Sequence, residues 1–210
     1  MKKYILVSMF MMLSIHAYAQ MNIGLSVQPG ILTNRVSSDI DSLRIGNDGS
    51  KAKLWLGIFF DLELRKNYYF TMGLNWAPKR IGIITESNSE QKILNVKLQY
   101  LQIPLWLKLY TDEIALDKKI YFQLGPTLEF KLQQSPDNNL ADFYIDKIKF
   151  WDIGLHFEAG MEFRIGQNTR ISGGLVYYRG LANTLKTHSA LPGNIRAKID
   201  FYALNLSIKF

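Results

Sequence analysis

The chain has 210 residues, carries 25 Lys and Arg against 18 Asp and Glu for a formal charge of +7, is 48% hydrophobic and contains no Cys. Such a length supports one compact domain, and the lack of Cys excludes both a disulfide framework and a cysteine-linked lipoprotein anchor. The basic excess comes without a basic run, zinc-ligand spacing or ribonucleoprotein motif, which argues against nucleic acid and reads instead as solvated loop and lumen charge.

Lys2 and Lys3 precede an apolar run from Tyr4 to Ile15, followed by Ala17-Tyr18-Ala19. The order of basic, apolar and small-x-small segments predicts a secretory signal peptide over residues 1–19, cleaved before Gln20, because the apolar run is short for a membrane span. Residues 20–210 then form the mature domain.

From Gln20 onward, apolar residues recur with period two, the mark of strands with one apolar face. The ladders are Ile23 to Val27, Leu54 to Leu64, Phe70 to Trp76, Leu101 to Leu109, Ile120 to Phe130, Trp151 to Phe163, Ile171 to Tyr177 and a terminal one. In the last, Tyr202, Leu204, Leu206, Ile208 and Phe210 share a face opposite Ala203, Asn205, Ser207 and Lys209. Eight ladders predict an all-β fold, an eight-stranded antiparallel up-and-down transmembrane β-barrel with lipid outside and a wet lumen inside.

Connections at roughly 33–52, 78–93, 133–148 and 180–197 read as long outer loops, and those at 65–67, 111–118 and 166–169 as short periplasmic turns. An even strand count puts both mature termini in the periplasm. Aromatic residues fall near ladder ends as expected of interfacial girdles, with Trp76, Phe130, Trp151, Tyr177 and Tyr202 outward and Phe70, Phe163 and Phe210 periplasmic.

Opposite the apolar faces lie Asp61, Glu63, Lys108, Glu129, Lys131, Asp152, His156, Glu158, Glu162, Arg164 and Lys209. Lipid exposure of such charges is prohibitive, so they are expected to form a paired lumen network. An eight-stranded barrel is only about wide enough for side chains, which disfavours a general diffusion porin. The apolar register changes between Val96-Leu98-Tyr100 and Leu101-Ile103-Leu105, predicting a bulge near Tyr100. Pro104 and Pro126 each lack an amide donor, predicting a weakened seam between the fourth and fifth strands.

Tyr100-Leu101-Gln102-Ile103-Pro104-Leu105-Trp106-Leu107-Lys108 resembles the signature of the PorT-like outer-membrane β-barrel family, with Leu124-Gly125-Pro126 and Tyr178-Arg179-Gly180-Leu181 similar to later landmarks. The resemblance implies an integral barrel of the Gram-negative outer membrane without catalytic residues or cofactors, and an accessory role in protein secretion or envelope assembly. A terminal aromatic strand resembles the one read by the barrel assembly machinery. Expected partners are therefore that machinery, outer-membrane lipids and lipopolysaccharide, and an envelope or secretion protein.

Two other classes remain open. A barrel enzyme acting on lipid or peptide would need a base such as His156, beside Asp152 and Glu158, or His188 next to Ser189, but the strand of His156 offers no serine nucleophile. A soluble lipocalin-like barrel would need an apolar interior and a polar exterior. Asp39, Asp41 and Asp48 lack the companions of a calcium loop, so no metal site is expected.

Overall fold

Period-two alternation becomes a meander of strands whose last member pairs with the first. The computed structural model describes residues 21–39, 44–87, 90–136, 140, 145–187 and 193–210. Its strands are β1 (Met21–Ser38), β2 (Arg44–Asn47), β3 (Lys51–Arg65), β4 (Tyr68–Ser87), β5 (Glu90–Tyr110), β6 (Lys118–Pro136), β7 (Ile145–Ile148), β8 (Trp151–Arg164), β9 (Arg170–Gly180), β10 (Leu185–Thr187) and β11 (Ile195–Lys209). The expected signal peptide, Asp41 and His188 lie outside the described residues.

Strands β1, β3, β4, β5, β6, β8, β9 and β11 form the wall, each antiparallel to both neighbours, and β1 closes on β11 over a register from Gly24–Lys209 to Ser38–Ile195. Closure satisfies every wall strand on both edges, as a lipid-facing sheet requires. The turns after β3, β5 and β8 lie at one rim, where Phe210 and Ile23 exchange backbone hydrogen bonds, and Asn67 takes the positive φ of 68° that its tight turn demands. The other rim is built of long hairpins.

Those hairpins correct the predicted loops. Much of 33–52, 78–93, 133–148 and 180–197 is strand: β4 and β5 stay paired out to Ser87–Glu90, β2 adds to β4, and β7 pairs with β10 as a separate ribbon. Near this rim the interior becomes apolar. Ile81 and Ile83 of β4 and Leu94, Val96 and Leu98 of β5 pack with Ile145, Ile148, Leu185, Ile195, Ala197 and Ile199. The barrel therefore reverses polarity along its axis, with apolar outside and charged inside over the turn-side part, and an ordinary apolar core beneath the hairpins.

This reversal also explains the apparent phase break. On β5 the inward set runs unbroken through Leu94, Val96, Leu98, Tyr100, Gln102, Pro104, Trp106 and Lys108, so only the chemistry of the inward face changes. The register does shift between Gln99 and Tyr100, but the extra residue, Leu132, belongs to β6. Between β5 and β6 the ladder skips from Pro104–Thr127 to Leu107–Leu124, leaving Leu105 and Trp106 unpaired with Gly125 and Pro126. A Cβ at Gly125 would overlap the carbonyl of Leu105, so glycine permits this close crossing.

The outer wall carries Leu25, Leu56, Leu74, Leu107, Phe122, Phe157, Leu175 and Leu206 exposed, together with Trp76, Trp151 and Tyr202. A water-soluble lipocalin-like barrel cannot present such a continuous apolar belt, which removes that alternative.

Candidate functional site

Three tiers of polar side chains fill the lumen. At the turn rim, Asp61 accepts hydrogen bonds from Thr71 at 2.6 Å, Lys108 at 3.1 Å and Lys209 at 3.2 Å. Lys209 also lies 2.9 Å from Glu162, which accepts from the Tyr110 hydroxyl at 2.6 Å. Two ammonium groups thus face two carboxylates, and the buried charges balance.

The middle tier centres on Glu158. Tyr121 and Asn205 donate to it, the latter at 2.7 Å, and His156 Nε2 lies 3.1 Å away. The imidazole stacks on Trp106 at 3.8 Å between centroids and is 1% exposed, while the Trp106 indole donates to Thr127 at 3.0 Å. Asp152 is separate from this group, accepting from Thr184 at 3.0 Å and from the Ile153 amide.

In the upper tier Lys79 and Glu129, both with side chains 0% exposed, pair at 2.5 Å, and Gln102 donates to Glu129 at 2.6 Å. The Lys79 ammonium sits 4.5 Å from the Tyr178 ring centroid, 5.2 Å from Tyr100 and 5.5 Å from Trp55. A Cβ at Gly154 would overlap the Tyr178 ring, so the glycine makes room for that aromatic wall. Trp55 in turn stacks on Phe201, and above these rings the apolar core begins. Charge, aromatic collar and apolar core together occlude the axis.

Of the residues expected in the lumen, Asp61, Lys108, Glu129, Asp152, His156, Glu158, Glu162 and Lys209 are buried inside it. Three occupy the rims instead. Glu63 accepts from Tyr69, Arg164 pairs with Glu113 and Asp117 of the turn after β5, and Lys131 donates to Gln134 and the carbonyl of Ile148. At those heights inward parity no longer means enclosure. Lys79, Tyr110, Tyr121 and Tyr178 join the buried set in the lumen without having been expected there, although the last three stand opposite apolar ladder positions.

The motif on β5 divides between faces. Tyr100, Gln102, Pro104 and Lys108 point inward, and Leu101, Ile103 and Leu105 outward. Its inward members supply one ring beside Lys79, the amide on Glu129 and the ammonium on Asp61. On β11, Tyr202, Leu204, Leu206 and Ile208 face outward, as does Phe210 just past its end. The acidic loop residues are engaged elsewhere, since Asp48 pairs with Arg80 and Asp39 with Arg196 at 2.7 Å.

On the outer wall just beyond the Tyr177–Tyr202 stack, with centroids 5.0 Å apart, Arg35 binds Asp200 through Nε at 2.6 Å and also donates to the Gly180 carbonyl at 2.7 Å.

A family model described as "Outer membrane protein beta-barrel domain" matches residues 18–186. Among solved structures the chain is similar to the outer membrane protein OprG from Pseudomonas aeruginosa, with TM-score 0.54 and 16% identity over 89% of this chain and 95% of that one. Similarity extends to Neisserial surface protein A, at TM-score 0.47 and 15% identity over 89% of this chain and 97% of that one. It extends also to AlkL, at TM-score 0.47 and 13% identity over 92% and 90% of the two chains. No curated protein matches the sequence.

Proposed function

The chain belongs to the outer membrane protein β-barrel domain family, and from that premise we propose that this small integral barrel of the outer membrane is non-enzymatic and works as an interaction component of the envelope. Its hairpin rim faces outward and presents the recognition surface, and the PorT-like motif on β5 supports a role accessory to secretion or envelope assembly. Residues 1–19 serve as the export signal, and the outward ladder of β11 engages the barrel assembly machinery.

One observation carries this reading: the interior is spent on closing itself. Pairs such as Lys79–Glu129 at 2.5 Å and an apolar core above them leave a filled axis where a pore or catalytic cleft would need water. His156, the one described imidazole in the lumen, is held between Trp106 and Glu158 at 1% exposure, without access for a substrate.

Site-specific photocrosslinking in living cells tests the proposal. Probes at the rim positions Arg44 and Arg196 are expected to capture a discrete envelope protein, and probes at Leu56 and Leu74 on the wall to capture none. Absence of a rim-specific adduct, together with hydrolysis of lipid or peptide by the pure barrel, would contradict it.

A further inference from the structure

The outer wall is covered with large apolar side chains, and part of it is a shallow hollow. A groove of about 760 Å³ crosses β6, β8, β9, β11 and β1, with Ala159 in its floor between Phe122, Phe157, Leu175 and Tyr177. The register explains the hollow, since Phe122, Ala159, Leu175 and Leu204 are successive cross-strand partners and Ala159 is the only small side chain in that row. Its volume lies within the range of ~300–1,000 Å³ typical of small-molecule sites.

Height and charge identify the occupant. The apolar face of β11 runs from Phe210 at the turn rim to Tyr202, about 27 Å of strand at ~3.4 Å per residue, so the groove under Tyr202 lies in the half of the membrane toward the hairpins. Immediately above it the outer face changes to Asp200 and Lys198 on β11, Arg179 beside Asp200 on β9, and Arg35 beside Lys198 on β1. Asp200 is taken by Arg35. Arg179 and Lys198 make no ion pair among the described residues, which leaves two cations above an apolar groove capped by tyrosines.

We propose that this groove and its two cations bind a phosphorylated, multiply acylated lipid of the outer leaflet, lipid A being the chemistry that fits. One acyl chain lies over Ala159 between Phe157 and Leu175, and the Tyr177–Tyr202 stack sits at the level of the polar boundary, where amphipathic rings are favoured. A phosphate rests between Arg179 and Lys198. The Arg35–Asp200 pair acts as a positioning element, tying β1 to β11 below the phosphate and keeping the carboxylate from opposing it.

The test is native mass spectrometry of the detergent-solubilised full-length mature protein, titrated with diphosphoryl lipid A and, separately, with phosphatidylcholine. Wild type is expected to bind lipid A in preference to the zwitterionic lipid, with inorganic phosphate unable to displace it. Each interfacial cation contributes about a fivefold effect, so Arg179→Gln with Lys198→Gln should weaken lipid A about 25-fold. Ala159→Phe fills the groove and should weaken both lipids, with Ala159→Leu as the milder variant. A heat-modifiable mobility on gels establishes that each variant is folded. Equal binding of lipid A by wild type and all folded variants, or equal binding of the two lipids by wild type, would overturn the assignment.

Discussion

Replacing Lys79 by methionine keeps an unbranched side chain of similar volume but leaves the Glu129 carboxylate without the ammonium 2.5 Å from it. Breaking a buried pair from one side costs about 3–5 kcal/mol, because the remaining charge stays desolvated. Gln102 still donates to Glu129 at 2.6 Å, so the loss should fall near the lower end, ~3 kcal/mol. The opposite change, Glu129→Gln, strands the ammonium against the rings of Tyr178, Tyr100 and Trp55, at 4.5, 5.2 and 5.5 Å. Each such contact is worth ~0.5–2 kcal/mol, so this variant should lose less, ~2 kcal/mol. With both replaced, neither partner of the pair leaves a stranded charge and stability should return to within ~1 kcal/mol of wild type. Urea unfolding of the refolded barrel in vesicles, followed by tryptophan fluorescence, measures all three. Single losses that simply add in the double variant, or a Lys79→Met loss below ~1 kcal/mol, would refute the reasoning.

Hydrogen exchange should separate the seam from the rest of the wall. The amide of Leu105, which points at the gap in the β5–β6 ladder, should exchange faster than those of Leu107 and Leu124, where pairing resumes, and uniform protection along β5 and β6 would sink the idea. At the turn rim, Asn67 donates to Asp112 at 3.0 Å, and this bond first, then Lys66, lowers the Asp112 pKa from its ordinary 3.8. The ionised form is thus favoured by folding: its contribution is present above the unfolded pKa and is lost as pH falls through the lower folded one. Asn67→Gly keeps the positive φ of the turn and removes the donor, so a carboxyl NMR titration should show the Asp112 midpoint moving up; an unchanged midpoint would disprove the assigned cause.

Strand identity and facing were legible because period-two patterning is local: Leu101, Ile103 and Leu105 cannot all face lipid unless Gln102 and Pro104 face inward. Apolar does not mean outward along the whole length of a strand. Above Tyr100 the equivalence fails, since Leu94, Val96 and Leu98 face an apolar core, and a change of surroundings then looks like a change of register. For the same reason β4 beyond Trp76, with Ala77, Ile81 and Ile83 facing inward around Lys79, carries no lipid-facing ladder to mark it as strand. Pairings were illegible for a different reason, because Lys79–Glu129 joins positions 50 residues apart and Lys209–Asp61 positions 148 apart, which only barrel closure brings together. Rim charges were misplaced because parity gives direction without height: Arg164 has inward parity, yet it stands 42% exposed beside Glu113.

The central claim is a closed barrel whose axis is filled. Planar-bilayer recording on the purified protein, shown to be folded by its heat-modifiable mobility, tests this most directly. The structure predicts no steady conductance in wild type and none after Lys79→Met with Glu129→Gln, because the apolar core above that pair persists. Stable, reproducible channels in the wild-type protein would contradict the account.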